Sequence, residues 1–265
     1  MKRFVVLDKK VGETPLEAVG EWKKNHPSYE KIPVSYAGRL DPMASGKLLV
    51  LIGEECKKQK EYTDLDKEYV VEVLLDVGSD TGDALGLVEA HKNEYVLEQA
   101  ELRKVLTDER GAHMRAYPIF SSKTVNGKPL FLHALEGGIE KITIPTHEER
   151  VHAIVHTYTE TLTSRELESR IETYLSVVPV SSEPSKVLGA DFRIKPVRDS
   201  WRAVFNRYPS RSFTLLTLRV VCGKGTYMRT LAGRIAEALG TKGLALSIRR
   251  TKIGKYWNGL WVREF

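Results

Sequence analysis

The chain has 265 residues, 42% hydrophobic and 29% charged, an ordinary composition for a folded globular protein and enough length for one large domain or two small ones. No apolar run approaches the roughly twenty residues that cross a bilayer. The opening Met1 to Asp8 turns polar too early for a signal-peptide core, so a cytoplasmic location is expected. Net charge +6 and a pI near 9.1 tilt mildly towards a polyanionic partner. Cys56 and Cys222 form neither a disulfide framework nor a metal-ligand spacing, and are expected as reduced, buried thiols.

In chain order, Arg3 to Leu7 predicts a short opening strand. Thr14-Pro15-Leu16-Glu17 supplies an N-cap, a proline at the first helical position and a capping-box glutamate. Leu16, Val19 and Trp22 then form an apolar stripe for a helix to about Asn25. Lys47 to Ile52 reads as a buried strand closed by Gly53. The alternation of Tyr69, Val71, Val73 and Leu75 predicts a strand with one apolar face. A helix is expected over Val96 to Leu106, and a strand over Ile119 to Val125 ended by Asn126-Gly127. Val151 to Thr159 and Phe213 to Cys222 are further strands. Thr226 is a candidate cap for a helix with Met228, Leu231, Ile235, Ala238 and Leu239 on one face and Gly240 as its stop. Leu244 to Ile248 is a last strand. Strands and helices mix without strict alternation, which points to α+β with a largely antiparallel sheet. The texture changes between about residues 161 and 212. A polar helix candidate, Ser164 to Leu175, leads through Val180 to Ser185 into a basic, aromatic stretch from Arg193 to Arg211 with Trp201, Phe205 and Tyr208.

Several familiar motifs fail on inspection. Ser45-Gly46-Lys47-Leu48 and Gly223-Lys224-Gly225-Thr226 both lack the upstream glycine of a P-loop. His147 and His152 miss the zincin spacing by one residue, and His152 and His156 fall on the polar face of a strand as solvated histidines. Asp76, Asp80 and Asp83 do not match an EF-hand and read as a turn rich in Asp and Gly. No metal site is expected. Two segments carry more. In Tyr36-Ala37-Gly38-Arg39-Leu40-Asp41-Pro42-Met43-Ala44-Ser45-Gly46 a carboxylate sits between a glycine turn and a proline, just before a rigid strand; the plain alternative is an Asp-Pro turn. In Gly223 to Arg229, Arg229 falls in the first turn of a helix, where the macrodipole disfavours a cation by roughly some tenths of a kcal/mol. Such an arginine either faces a carboxylate or is simply solvated.

At these two segments the chain resembles the TruB family of pseudouridine synthases, whose bacterial members modify the T-loop uridine of tRNA. The resemblance runs through ordered blocks: Leu7-Asp8-Lys9 with Gly12; Gly38 to Gly46; Asp66 to Tyr69 with Gly78 to Asp83 and Gly86; Ser121 to Gly137 with Asn126-Gly127-Lys128 and Ala134; and Cys222 to Arg229 with Ile248-Arg249-Arg250. They cover residues 1 to about 150 and 213 to 256.

The resemblance implies the pseudouridine-synthase fold and, as the activity, isomerisation of a uridine in the tRNA T-arm, with U55 as its target. Asp41 would be the nucleophile, as a buried carboxylate paired with Arg229. Tyr69 would stack on the extruded uracil or act on its proton. Tyr227 and Ile248 would line the base pocket, Lys9 would support the catalytic loop, and Arg39 would contact substrate. Tyr36 stands where the family usually has histidine and would take over a contact to the target nucleotide. Arg115, Lys123 and Lys128, with Lys57, Lys58 and Lys60, are candidate phosphate contacts. No cofactor or metal is implied. The expected architecture is a single catalytic domain over 1–265, acting as a monomer, with an insertion at about 161–212 and no clear C-terminal PUA domain. The Arg193–Arg211 part of that insertion is a candidate tRNA grip, the alternative being an exposed excursion. Two other functions fit the same motifs: a tRNA-binding assembly factor without catalysis, and a guide-RNA-dependent subunit acting on ribosomal RNA.

Overall fold

A computed structural model describes residues 2–177 and 193–265. The expected Val180-to-Ser185 connection lies outside these residues. Thirteen strands are described: β1 (Phe4–Lys9), β2 (Val34–Ala37), β3 (Ala44–Ile52), β4 (Asp66–Leu75), β5 (Val77–Ser79), β6 (Val88–Ala90), β7 (Gly111–Ala116), β8 (Thr124–Val125), β9 (Lys128–Pro129), β10 (Thr146–Thr163), β11 (Ser212–Cys222), β12 (Gly243–Trp257) and β13 (Leu260–Glu264). The helices are α1 (Pro15–Lys24), α2 (Gln59–Thr63), α3 (Gln99–Asp108), α4 (Leu130–Leu135), α5 (Ser164–Ser176), α6 (Ile194–Arg207) and α7 (Met228–Ala238). Nine strands form one sheet in the order β1-β3-β12-β4-β11-β10-β7, with β2 added on β3 and β13 on β12. All pairings in it are antiparallel except β3 with β12. The fold is therefore the expected α+β with a mostly antiparallel sheet.

Local chemistry explains much of this. Thr14 accepts from the Glu17 amide while the Glu17 carboxylate accepts from the Thr14 amide, so α1 begins where the capping box places it. Its buried side is formed by Ala18 and Val19; Leu16, expected in the stripe, is 72% exposed. Leu16 is the second helical residue, in the first turn of α1. Helix α7 starts at Met228 with Tyr227 as its cap residue, and Thr226 does not cap it; its hydroxyl donates to Gly223 O instead. Gly240, at φ +77°, stops the helix. Val96 stays outside α3 and is exposed.

Two expectations fail in an instructive way. Only Thr124 and Val125 of the expected Ile119–Val125 strand are extended in a pair, turning through Asn126-Gly127 onto β9. Residues 119–123 form a turn and loop whose Phe120 carbonyl serves the site described below. The described parts of the 161–212 stretch, residues 161–177 and 193–212, are not the exposed excursion that was the alternative for Arg193–Arg211. Leu167, Ile171 and Leu175 of α5 and Val197, Trp201, Val204 and Phe205 of α6 are buried in the main core beside Leu215 and Leu218. A fully buried large apolar side chain contributes about 1.5–3 kcal/mol, so these helices are structural walls of the domain. Trp201 and Phe205 face the core and are withdrawn from any RNA.

The parallel contact of β3 with β12 positions the site. Ile248 pairs with Ala44 and Arg250 with Gly46, while on the other side of β12 Arg250 pairs with Tyr69 of β4. Gly46 is required here: at φ +101°, a Cβ would lie 2.2 Å from Arg250 O. The loop Gly38–Met43 enters β3 at this junction, in the middle of the sheet.

Candidate active site

A cavity of about 790 Å³ opens over that junction. Its floor and walls include Arg39, Asp41, Tyr69, Asp83, Tyr227, Arg229, Ile248 and Arg250, drawn from both ends of the sequence. At its centre Arg229 Nε donates to Asp41 Oδ2 at 2.7 Å. The arginine side chain is 5% exposed, whereas the Asp41 side chain is 43% exposed, so Asp41 is not the buried carboxylate that the sequence suggested. The buried member is the cation. It sits at the base of the cavity and presents Asp41 to the open space.

Arg229 has further partners. Its Nη1 donates to Thr81 O at 2.8 Å and its Nη2 to Phe120 O at 3.0 Å, and Asp83 Oδ2 lies 3.6 Å from Nε. Asp83 is buried, and burial pushes its carboxyl above the ordinary range against the pull of Arg229. For Arg229 the neighbouring carboxylates outweigh burial and hold the guanidinium above its usual value. A cation forked between two carboxylates and two carbonyls has its orientation fixed, which a lysine could not reproduce. The sequence reading dismissed Asp83 as part of a turn. Its partner is far away in the chain, and no local pattern identifies it.

Two buried cations hold the loop that carries Asp41. Lys9 is fully buried at the end of β1, and its Nζ donates to Lys10 O at 2.8 Å, Pro42 O at 3.4 Å and Ala44 O at 2.5 Å. Burial, opposed by the charges of Glu13 and Asp41, pulls its pKa down to about 8. The carbonyls of Pro42 and Ala44, just after Asp41, are thus tied down. Arg250, 1% exposed, donates to Lys47 O at 2.7 Å, Gly38 O at 3.2 Å and Arg39 O at 3.4 Å. Arg250 stands in one of the resembling blocks, but the clamp it forms was not anticipated. A third buried cation, Lys67, lines the cavity, donates to Thr63 O and Leu65 O, and is pulled down to about 8 by burial.

Tyr69, Tyr227 and Ile248 line the cavity as expected. Burial raises the pKa of both phenols, so each rests in its neutral form at physiological pH. Tyr227 lies edge-on to His147 and Tyr117, which stack on each other at 3.9 Å. His147 Nε2 also lies 2.9 Å from Gly225 O, and His152 Nε2 2.9 Å from Asp66 Oδ1. With 24% of its side chain exposed, His152 is a partnered residue and not a solvated one. Among the described residues no group of His, Cys, Asp or Glu is arranged to hold a metal.

Other expected residues lie elsewhere. Tyr36 does not line the cavity; on β2 it packs against Ala18, Val19, Leu48 and Val50 beneath α1. Alternation along β2 sends its ring to that side, while the neighbouring Ala37 faces a separate cluster with Leu49 and Leu51. Arg39 is exposed at the cavity. Of the candidate phosphate contacts, Arg115 reaches Glu109 at 3.4 Å and Lys128 pairs with Glu136, while Lys123 lies over the Tyr117 ring at 4.9 Å. Lys57 and Lys58 pair with Glu54 and Glu55. Cys222 is buried and its thiol is pushed up to about 12 by that burial, whereas Cys56 is partly exposed.

The chain is similar to known proteins. Proteins named tRNA pseudouridine synthase B are similar along nearly the whole chain. That of Caldicellulosiruptor saccharolyticus is 28% identical over 97% of this chain and 69% of its own length. Those of Psychrobacter cryohalolentis and Psychrobacter arcticus are 26% and 25% identical over 95% of this chain. The chain spans 56% and 53% of the length of these two relatives. Among solved structures, a Cbf5-Nop10-Gar1 complex aligns with a TM-score of 0.56 at 18% identity, covering 95% of this chain and 48% of that one. An H/ACA ribonucleoprotein bound to a substrate RNA containing 2'-deoxyuridine aligns at 0.50 and 17%, covering 94% and 47%. These structures share the fold. Residues 26–175, more than half of the chain, match the N-terminal domain of the TruB family pseudouridylate synthases, and to that family this chain belongs.

Proposed function

We propose that the chain isomerises a uridine of tRNA to pseudouridine, with U55 of the T-loop as its target. The observation that carries this reading is the Asp41 carboxylate, held in a cavity of about 790 Å³, roomy enough for a flipped nucleotide, by an almost fully buried arginine. The reaction breaks the bond between N1 and C1′ and forms one between C5 and C1′, while a proton leaves C5 and N1 ends protonated. It therefore needs a negative group beside C1′ and a proton acceptor near the ring. Asp41 supplies the first. Raised phenol pKa values favour Tyr69 and Tyr227 as neutral platforms for the flipped base over a role as phenolate bases. Ile248 closes the apolar side, and Arg39 at the rim is placed for a backbone phosphate.

We further infer a cytoplasmic monomer that acts on bare tRNA. The names of the similar proteins and the complete Asp41, Tyr69 and Arg229 set support this over an assembly factor without catalysis and over a guide-RNA-dependent subunit. Incubation of the purified chain with unmodified tRNA transcript, followed by mass-spectrometric mapping, tests the reading. Pseudouridine at one T-loop position is expected, and a transcript left unmodified at every uridine would refute it.

A further inference from the structure

The segment from Arg193 to Arg211 touches the chain from Asp76 to Asn93, which holds β5, β6 and the loop between them, at several points. Arg193 Nη1 donates to Asp80 Oδ2 at 2.7 Å. The buried Trp201 Nε1 donates to Ala84 O at 3.0 Å, and Ser200 Oγ accepts from the Val88 amide at 3.1 Å. At the far end Arg211 donates to His91 O and Asn93 O and pairs with Asp76 at 2.9 Å. The loop between β5 and β6 gives Arg229 two of its partners, Thr81 O and Asp83. Its third partner besides Asp41 is Phe120 O, and the Arg193 guanidinium lies over the Phe120 ring at 4.9 Å. Arg193 thus contacts both segments that orient Arg229, while its own side chain lines the cavity wall.

A basic side chain at the wall of an RNA-binding cavity invites assignment as a phosphate contact. The geometry points elsewhere. Arg193 is only 25% exposed, its charge is matched by Asp80, and its flat face lies on an aromatic ring. Phosphate would have to compete with both. Trp201 and Phe205 are buried in the core, and Tyr208, partly buried against it, lies at the far end of the segment, so no aromatic stacking surface of the segment stands beside Arg193. We propose that Arg193 is a positioning residue: it locks the Asp80–Asp83 turn to Phe120, and through them fixes the angle at which Arg229 holds Asp41. Helix α6 is the rigid backing of that lock. The proposal rests on the functional reading above for its kinetic consequences, but not for its structural ones. Misplacement of a catalytic group by about 1 Å can cost up to roughly 100-fold in rate, so loss of one strut of several should cost about tenfold.

The test uses Arg193→Ala, Arg193→Lys, Asp80→Asn and the double variant Arg193→Ala with Asp80→Asn. Asp80→Asn keeps the Oδ1 acceptor that serves the Leu87 amide, so it weakens the same link without opening the turn. Two readouts are taken: steady-state kinetics on tRNA transcript, and hydrogen exchange of the Arg229 Nε proton by NMR of arginine-labelled protein. Cooperative unfolding close to the wild-type midpoint checks integrity. The expected result for Arg193→Ala is a kcat about tenfold lower with KM within twofold, and exchange of the Arg229 proton at least several-fold faster. Arg193→Lys should recover part of kcat, and the double variant should be no worse than Arg193→Ala alone. Unchanged kcat and exchange would overturn the proposal, and so would a raised KM at unchanged kcat, which marks an RNA contact. If wild type makes no pseudouridine, the functional reading fails, and the exchange rates still decide whether Arg193 orients Arg229.

Discussion

Replacing Arg229 by methionine keeps an unbranched apolar stem and removes the guanidinium with its charge. Four partners are affected, and their exposure decides how much each matters. The contact to Asp41 lies against a side chain that is 43% exposed, so solvent screens it and its share is small. Asp83 is different: its side chain is 8% exposed and would face no compensating cation. Thr81 O and Phe120 O would each lose a charge-assisted donor. Breaking one side of a buried pair costs about 3–5 kcal/mol, and the lower half of that range applies because water can enter from the cavity. Urea denaturation should therefore show a loss of about 3 kcal/mol. Asp83 also sets the sign of the pH dependence. Its folded pKa already lies above the unfolded value, and removing Arg229 raises it further. The folded variant then binds more protons than the unfolded chain, so the stability deficit should shrink as pH falls below the raised pKa and be greatest above it. Adding Asp83→Asn to Arg229→Met removes the orphaned charge and should restore about 1–2 kcal/mol at neutral pH. A loss below 1 kcal/mol in the single variant, or a double variant less stable than the single, would refute this reasoning.

Further outcomes follow from the same geometry. Lys9 buried with a pKa near 8 means that the unfolded chain, near the ordinary 10.5, holds more protons between those values, so its contribution to stability should rise with pH from about 8 to 10.5. The stability difference between wild type and Lys9→Met, measured by urea titration at several pH values, should grow across that window; a flat difference would contradict the burial argument. Tyr69→Phe keeps a neutral platform and should retain most of kcat, whereas Tyr69→Leu should lose roughly 10-fold or more by steady-state kinetics, since base stacking is worth about 1–3 kcal/mol. Equal losses in both would place the hydroxyl in the chemistry. If about five phosphates are neutralised, log affinity for tRNA should fall against log salt with a slope of roughly −4, and a flat response would exclude backbone-dominated binding.

What could be read from the sequence was what is local or motif-borne. The α1 cap depends on Thr14 and Glu17 three residues apart, and it forms where expected. Arg229 stood out because a cation in the first turn of a helix opposes the macrodipole, and the carboxylate it called for is Asp41. Asp83 and the Arg250 clamp were missed because each acts on residues far away in the chain, and an Asp-Gly turn or a strand arginine has no signature of such a task. The basic, aromatic run from Arg193 to Arg211 misled for another reason. Composition alone cannot separate an RNA platform from an amphipathic helix, yet Val197, Trp201, Val204 and Phe205 follow helical spacing, and that periodicity was the available sign of a core face. Residues 119–123 look strand-like because hydrophobic and polar residues mix there, but their backbone is used to supply Phe120 O to Arg229. Tyr36 shows the limit of position-by-position transfer: its ring turns to the underside of the sheet.

Release of tritium from 5-labelled uridine in a tRNA transcript, by wild type and by Asp41→Asn under single-turnover conditions, tests the central claim most directly. The amide preserves size and the donor contact from Arg229 but removes the negative charge at the cavity. Wild type should release the label with formation of pseudouridine, and Asp41→Asn should bind the transcript and release none above background. Full release by the amide variant would show that the charge on Asp41 is not what drives the isomerisation.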